Sequence, residues 1–399
     1  MRKTIYAVMA IASLTYSTHT TAQSQDLQKT VNTYFEQSLQ AQQKALEQDG
    51  KASFAQNTPL STELQTAIKN KDIANYQKMV WTAWCEANNA LQEEKLIEPA
   101  DLKLAKNSAW HLPQCLEPNA VMPYYYGKKG VADNGQYPLF LYTHGSGSKD
   151  REWSNGIELG LRFQDAPSIY FIPQIPNEGE YYRWWHLSKQ YAFEKLIRLS
   201  LTSGEVDANR LYVFGISEGG YGSQRLASFY ADYWAAAGPM AGGEPLKNAP
   251  VENCANIGFS LLTGADDTGF YRNDLTWFTQ VAFDSVQLAR PLAVDNMPIF
   301  RHRINLLPGM QHHITVAVGQ QPRLPGKYHA AQNQRLAVPL LKAVAVLPNR
   351  CLHAVTSFSV SILRSFAVFP HPAPAPHPRL PARGPCSAPA LPPPRGGYR

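Results

Sequence analysis

The segment Gly215-Ile216-Ser217-Glu218-Gly219, followed by Gly220, is where residue types and spacing most directly imply chemistry. A serine between two glycines, after an apolar run and before a helical one, is the pattern of a sharp strand-to-helix turn. Such a turn lifts the hydroxyl clear of its strand. Side chains at the two flanking positions would clash with neighbouring backbone. Ser217 is therefore the candidate nucleophile. The N–H of Glu218, at the start of the following helix, then faces negative charge developing on a substrate. A second donor is expected from His144-Gly145-Ser146-Gly147, because glycine lets backbone approach a substrate closely. The Ser146 N–H is the candidate there. Between the two motifs lies Tyr181-Tyr182-Arg183-Trp184-Trp185. Trp184 and Trp185 are candidate substrate-binding residues, since aromatic faces stack on sugar rings or aromatic acids. Core packing explains the same residues equally well.

These residues need a scaffold. Tyr137 to Thr143, Ser168 to Ile172, Arg210 to Gly215, Trp234 to Gly238, Ile257 to Thr263 and Phe300 to Leu307 read as apolar strands. Leu187 to Leu201 and Gly219 to Tyr230 read as helices between them. Apolar strands alternating with helices predict an α/β chain with a mostly parallel sheet and helices on both faces. Residues 23–120 predict a short helical N-terminal region. There Val31, Tyr34, Phe35 and Leu39 recur at helical spacing, and a helix from Ile73 to Glu94 carries Trp81 and Trp84 toward a core.

Two stretches, Tyr142-Thr-His-Gly-Ser-Gly147 and Asp207-Ala-Asn-Arg-Leu-Tyr-Val-Phe-Gly-Ile-Ser-Glu-Gly-Gly-Tyr-Gly222, resemble the α/β-hydrolase superfamily. They are most similar to its polyhydroxybutyrate-depolymerase and feruloyl-esterase-like branch. The resemblance covers residues 121–314. It implies an α/β-hydrolase fold with a triad in the order serine, acid, histidine. In Gly264-Ala265-Asp266-Asp267 the family's Gly-x-x-Asp spacing selects Asp267, with Asp266 the alternative. In Gly309-Met310-Gln311-His312-His313 the Gly-x-x-His spacing selects His312, with His313 the alternative. The implied activity is hydrolysis of a carboxylic ester through an acyl-enzyme. Its substrate is a small-molecule or polymer ester, such as an ester of plant polysaccharide or a polyester. No metal or organic cofactor is implied. A serine peptidase on the same triad is one alternative. A hydrolase fold that binds carbohydrate without catalysis is another. The family's last helix should follow the histidine, and here the sequence changes character instead.

That change is visible in the charge. The net charge is +6, yet twelve of the 37 Lys and Arg lie after Asp295 and none of the 31 Asp and Glu do. The body is thus acidic and the tail basic, and a nucleic-acid partner is not expected. Residues 316–399 form a basic, proline-crowded tail expected to stay disordered. It reads either as a proline-rich linker or ligand, or as a segment not shaped by selection, such as a shifted reading frame. The second reading is favoured. At the other end, Met1-Arg2-Lys3, an apolar run from Tyr6 to Leu14 and Thr20-Thr21-Ala22 predict a signal peptide over 1–22. A secreted or periplasmic protein is expected. No later stretch has the ~18 apolar residues of a membrane span. An oxidising compartment permits disulfides, and Cys85 with Cys115 is the first candidate pair among Cys85, Cys115, Cys254, Cys351 and Cys386. The catalytic domain is expected over 121–315.

Overall fold

The computed structural model describes residues 28–41, 43–44, 70–255, 257–289 and 301–312. The expected signal peptide, the tail and His313 lie outside these residues. Strands β1 (Ala100–Asp101), β2 (Asn107–His111), β3 (Val121–Lys129), β4 (Tyr137–Thr143), β5 (Ser168–Pro173), β6 (Val206–Ile216), β7 (Ala236–Met240), β8 (Gly258–Gly264) and β9 (Arg301–Leu307) form one sheet. A first helix, α1, covers 28–41. It is followed by α2 (Ile73–Ala90), α3 (Lys149–Arg162), α4 (Leu187–Thr202), α5 (Glu218–Phe229) and α6 (Arg272–Ala289).

Every residue of β4 and β5 is buried, as continuous apolar runs between two helical layers should be. Successive side chains serve opposite faces. Leu139 and Leu141 join Phe171, Phe193 and Val213 in one core. Phe140 and Tyr142 join Tyr170, Tyr212 and Phe214 in the other. The strand order is β1-β3-β5-β4-β6-β7-β8-β9, with β2 on β3. The strands from β5 through β9 run parallel along this path, and β3 runs antiparallel to β5. The chain leaves β4 to make β5 on one side and returns to make β6 on the other. Such a reversal opens a crevice at the carboxyl ends of the two central strands. Those ends are Thr143 and Gly215, which face each other in register. This is an α/β-hydrolase fold, as the sequence predicts.

The N-terminal region is only partly helical. Phe35 and Leu39 of α1 and Trp84 of α2 enter the main core. The stretch expected to remain helical to residue 120 instead supplies β1 and β2, which pair with β3. The sheet therefore begins before residue 121. Trp110 drives this, buried at 1% exposure and stacked on Phe171 at 5.3 Å. Two and five residues are too few for a periodic signal. Cys85 and Cys254 are free thiols, so the expected Cys85–Cys115 pair is not made. None of the described helices is long and apolar enough to cross a membrane.

Candidate active site

Ser217 follows β6 with φ 56° and ψ −116°, a conformation costly for a residue with a Cβ. Its flanks explain how the turn closes. A Cβ on Gly215 would lie 2.1 Å from Thr143 Oγ1, and one on Gly219 would lie 1.8 Å from the Thr143 carbonyl oxygen. Serine at a helix N-cap ordinarily bonds the helix's own N–H groups. Here Ser217 makes no such cap. Its Oγ is 2.9 Å from His312 Nε2. His312 Nδ1 is in turn 2.8 Å from Asp267 Oδ2. A carboxylate only accepts, so Nδ1 carries the proton and Nε2 is left to accept from the serine hydroxyl. Asp267 is buried and Asp266 is exposed, so the loop brings Asp267 against the histidine.

Two interlocked loops set this geometry. Ala265 N–H donates to the Leu307 carbonyl at 2.8 Å, and Asp266 N–H to the Met310 carbonyl at 2.9 Å. Gly309 turns the second loop with φ 70°. Asp267 also accepts from Arg272, Nε to Oδ2 at 2.8 Å and Nη2 to Oδ1 at 2.6 Å. Burial alone would raise the Asp267 carboxyl. The hydrogen bonds from Arg272 and then His312 outweigh it and hold the group below its ordinary value. Arg272 carries no signal in the sequence, because only the fold shows which carboxylate it meets.

The oxyanion candidates lie on either side of Ser217. Glu218 is the first residue of α5, so its N–H has no partner one turn back. Its carboxyl is raised by burial, while Arg183, 3.6 Å away, pulls it the other way. Ser146 is exposed in the loop after β4. The preceding carbonyl, of Gly145, accepts from His144 Nδ1 at 2.6 Å and from the Tyr182 hydroxyl at 3.1 Å. Gly145 C=O and Ser146 N–H belong to one planar trans peptide and point in opposite directions. Pinning the carbonyl therefore fixes the N–H. His144 is buried and receives the Ile175 N–H on Nε2 at 3.1 Å, which assigns its tautomer. Burial pushes its imidazole down to about 4, so it serves as a neutral strut.

Trp184 corrects an expectation. It is 0% exposed, and its Nε1–H donates to the His144 carbonyl at 2.9 Å. It props the β4 loop from inside and offers no face to a substrate. Trp185 is half-buried beneath the Arg225 guanidinium, 3.9 Å from its ring centroid. The segment carrying Tyr182 and Trp184 is anchored from below. Fully buried Lys189 pairs with fully buried Glu117 and donates to the Tyr181 carbonyl at 2.8 Å. Asn177 donates to the other Glu117 oxygen at 2.8 Å. Among the described residues no group of three His, Cys, Asp or Glu is arranged to hold a metal ion.

The strand order and the serine turn after β6 fit the α/β-hydrolase fold. No protein-family model matches the chain, and no curated protein matches its sequence. Among solved structures the chain is similar to a thermostable esterase, at 20% identity and a TM-score of 0.39. That match covers 51% of this chain and 54% of the other, so this chain spans about half of that esterase's length. It is similar to an acetyl xylan esterase from Aspergillus awamori at 13% identity and a TM-score of 0.37, covering 52% and 94%. It is similar to a ferulic acid esterase from Anaeromyces mucronatus at 16% identity and a TM-score of 0.37, covering 56% and 88%.

Proposed function

We propose that this chain is a serine hydrolase that cleaves carboxylic esters through an acyl-enzyme. The supporting observation is the line of hydrogen bonds Ser217–His312–Asp267, with the serine held on a strained turn at the sheet's crevice. Ser217 Oγ attacks the acyl carbon while His312 Nε2 takes its proton. Asp267 keeps Nδ1 protonated and favours the imidazolium that forms. The oxyanion accepts from the N–H groups of Ser146 and Glu218. His312 then returns the proton to the departing alcohol. Water, activated by the same histidine, attacks the acyl carbon and releases the acid.

Within that class, esters on plant polysaccharide or of polyester type are the proposed substrates. Their support is the likeness of the Ser217 and His144 segments to the branch named above. Export is proposed from the N-terminal pattern of charge, apolar run and small residues, with the mature chain starting near Gln23. Hydrolysis of p-nitrophenyl acetate tests the class. Ser217→Ala should fold and retain only the roughly 10³-fold rate advantage that substrate binding and oxyanion donors give alone. Undiminished turnover in that variant would refute the assignment.

A further inference from the structure

A carboxylate that supports a histidine can work with its charge uncompensated. Asp267 does not. Both of its oxygens are taken by the planar fork of Arg272, and Oδ2 is shared with His312 Nδ1. Two parallel N–H···O bonds fix the plane of a carboxylate as well as its position. The arginine is itself fixed, at 7% exposure. A Cβ on Gly243 would come within 2.9 Å of the Arg272 Cα, and the guanidinium lies 5.4 Å from the Phe270 ring centroid. Arg272 opens α6, and the next residue, Asn273, donates its N–H to the Asp267 carbonyl at 3.2 Å. The start of this helix therefore grips both the backbone and the side chain of Asp267.

We propose that Arg272 is a positioning residue of the Ser217–His312–Asp267 line, which aligns the carboxylate and offsets part of its charge. The inference rests on reading that line as a catalytic triad. Its two effects act differently. Alignment speeds catalysis at every pH, because Asp267 meets Nδ1 without first being ordered. Charge offset acts at the acid end. A lone buried carboxylate favours a protonated histidine, and a protonated histidine cannot accept from Ser217. A cation on the same carboxylate weakens that hold, so the base remains available at lower pH. The titratable and charged groups facing Arg272 are few. On α5 the Tyr221 hydroxyl is buried beside it, outside good hydrogen-bond geometry. Behind Tyr221, Glu244 is occupied by Arg225 at 2.7 Å. On its own loop Asp266 is exposed.

The test is the pH profile of kcat/KM for p-nitrophenyl acetate with the full chain, Arg272→Gln and Arg272→Lys. In Arg272→Gln the midpoint of the acid limb should rise by about 0.5–1 pH unit, because the carboxylate is no longer offset. Arg272→Lys keeps the charge and loses the fork. Its acid limb should stay at the wild-type position while kcat falls several-fold and KM holds. An unshifted limb in folded Arg272→Gln overturns the charge offset. If circular dichroism shows Arg272→Gln unfolded, Arg272→Lys decides alone, and wild-type kcat in it overturns the positioning role. A wild-type chain that neither hydrolyses the ester nor reacts with a fluorophosphonate fails earlier, at the triad reading. Hydrolysis with unchanged variants leaves that reading intact and removes only Arg272.

Discussion

The loops at the carboxyl ends of β4 and β8 both reach toward Ser217, yet different forces hold them. The β4 loop is strapped by neutral groups. The His144 ring, the Tyr182 hydroxyl and the Trp184 indole all donate to its carbonyl oxygens. The β8 loop is held by a buried ion pair, Asp267 with Arg272. The contrast matches what each loop must do. A backbone N–H needs a fixed direction and no charge, and neutral struts keep that direction while His144 stays unprotonated, above about pH 4. The acid must stay ionised in a buried place, and a donor-rich, cationic partner favours that form. Geometry at the first loop should therefore hold above about pH 4, while the second should loosen in acid as its carboxylate is protonated, with little response to salt because the pair is buried.

The largest effect is expected at the charged loop. Asp267→Asn should lower kcat by about 10⁴-fold, because the amide can donate to Nδ1 and so favours the wrong tautomer. Asp266→Asn should leave turnover close to wild type, since Asp266 is exposed and its N–H bond to Met310 is a backbone contact. Steady-state kinetics of the pair checks this. The reverse ranking would move the acid one residue back.

The next effect falls beneath the neutral straps. Glu117→Gln leaves Lys189 buried without its partner, and breaking such a pair costs about 3–5 kcal/mol. Urea unfolding should register that loss. Lys189 already meets a burial cost that pushes its amine below the ordinary lysine value. A change under about 1 kcal/mol would mean that the pair contributes little to holding the Tyr181–Trp185 segment.

A smaller change is expected from Tyr182→Phe, which removes one of two bonds to the Gly145 carbonyl. The Ser146 N–H then loses part of its fixed direction. Removing an oxyanion donor outright costs roughly 10²–10³-fold, so loosening one should cost about tenfold in kcat with KM unchanged. A rise in KM at constant kcat would instead make Tyr182 a substrate contact.

The smallest effect separates pH effects on the fold from those on the site. Burial raises the Glu194 carboxyl from 4.5 to about 7, against the hydrogen bond from Tyr230. A raised folded value means that the folded chain holds this proton when the unfolded chain has released it. The contribution to stability is full below about 4.5 and is lost as pH rises through about 7. Melting temperatures at pH 5 and 7.5 should therefore differ less in Glu194→Gln than in wild type. Equal differences would assign the pH dependence to other groups.

What could be read from the sequence follows the same division. Ser217 and the glycines around it are legible because local backbone sterics demand those residue types in that order. Asp267 and His312 are legible only through the resemblance, whose Gly-x-x-Asp and Gly-x-x-His spacings select them after Gly264 and Gly309 while leaving Asp266 and His313 as alternatives. Trp184 and Trp185 are adjacent, and no periodicity tells which one turns inward. The inward one became a strut. His144 and Tyr182 act through contacts between distant segments, and Arg272 through a carboxylate five residues away that only the fold shows it meets. Strands β1 and β2 escaped notice because pairing with β3 and the burial of Trp110 define them, and both are tertiary facts.

The most direct test of a Ser217 nucleophile is the intact mass of the full chain after fluorophosphonate treatment, with the adduct mapped by peptide. One adduct per chain, located on the peptide containing Ser217 and abolished in Ser217→Ala and His312→Ala, is the expected result. An unmodified chain, or an adduct on another serine, would contradict it.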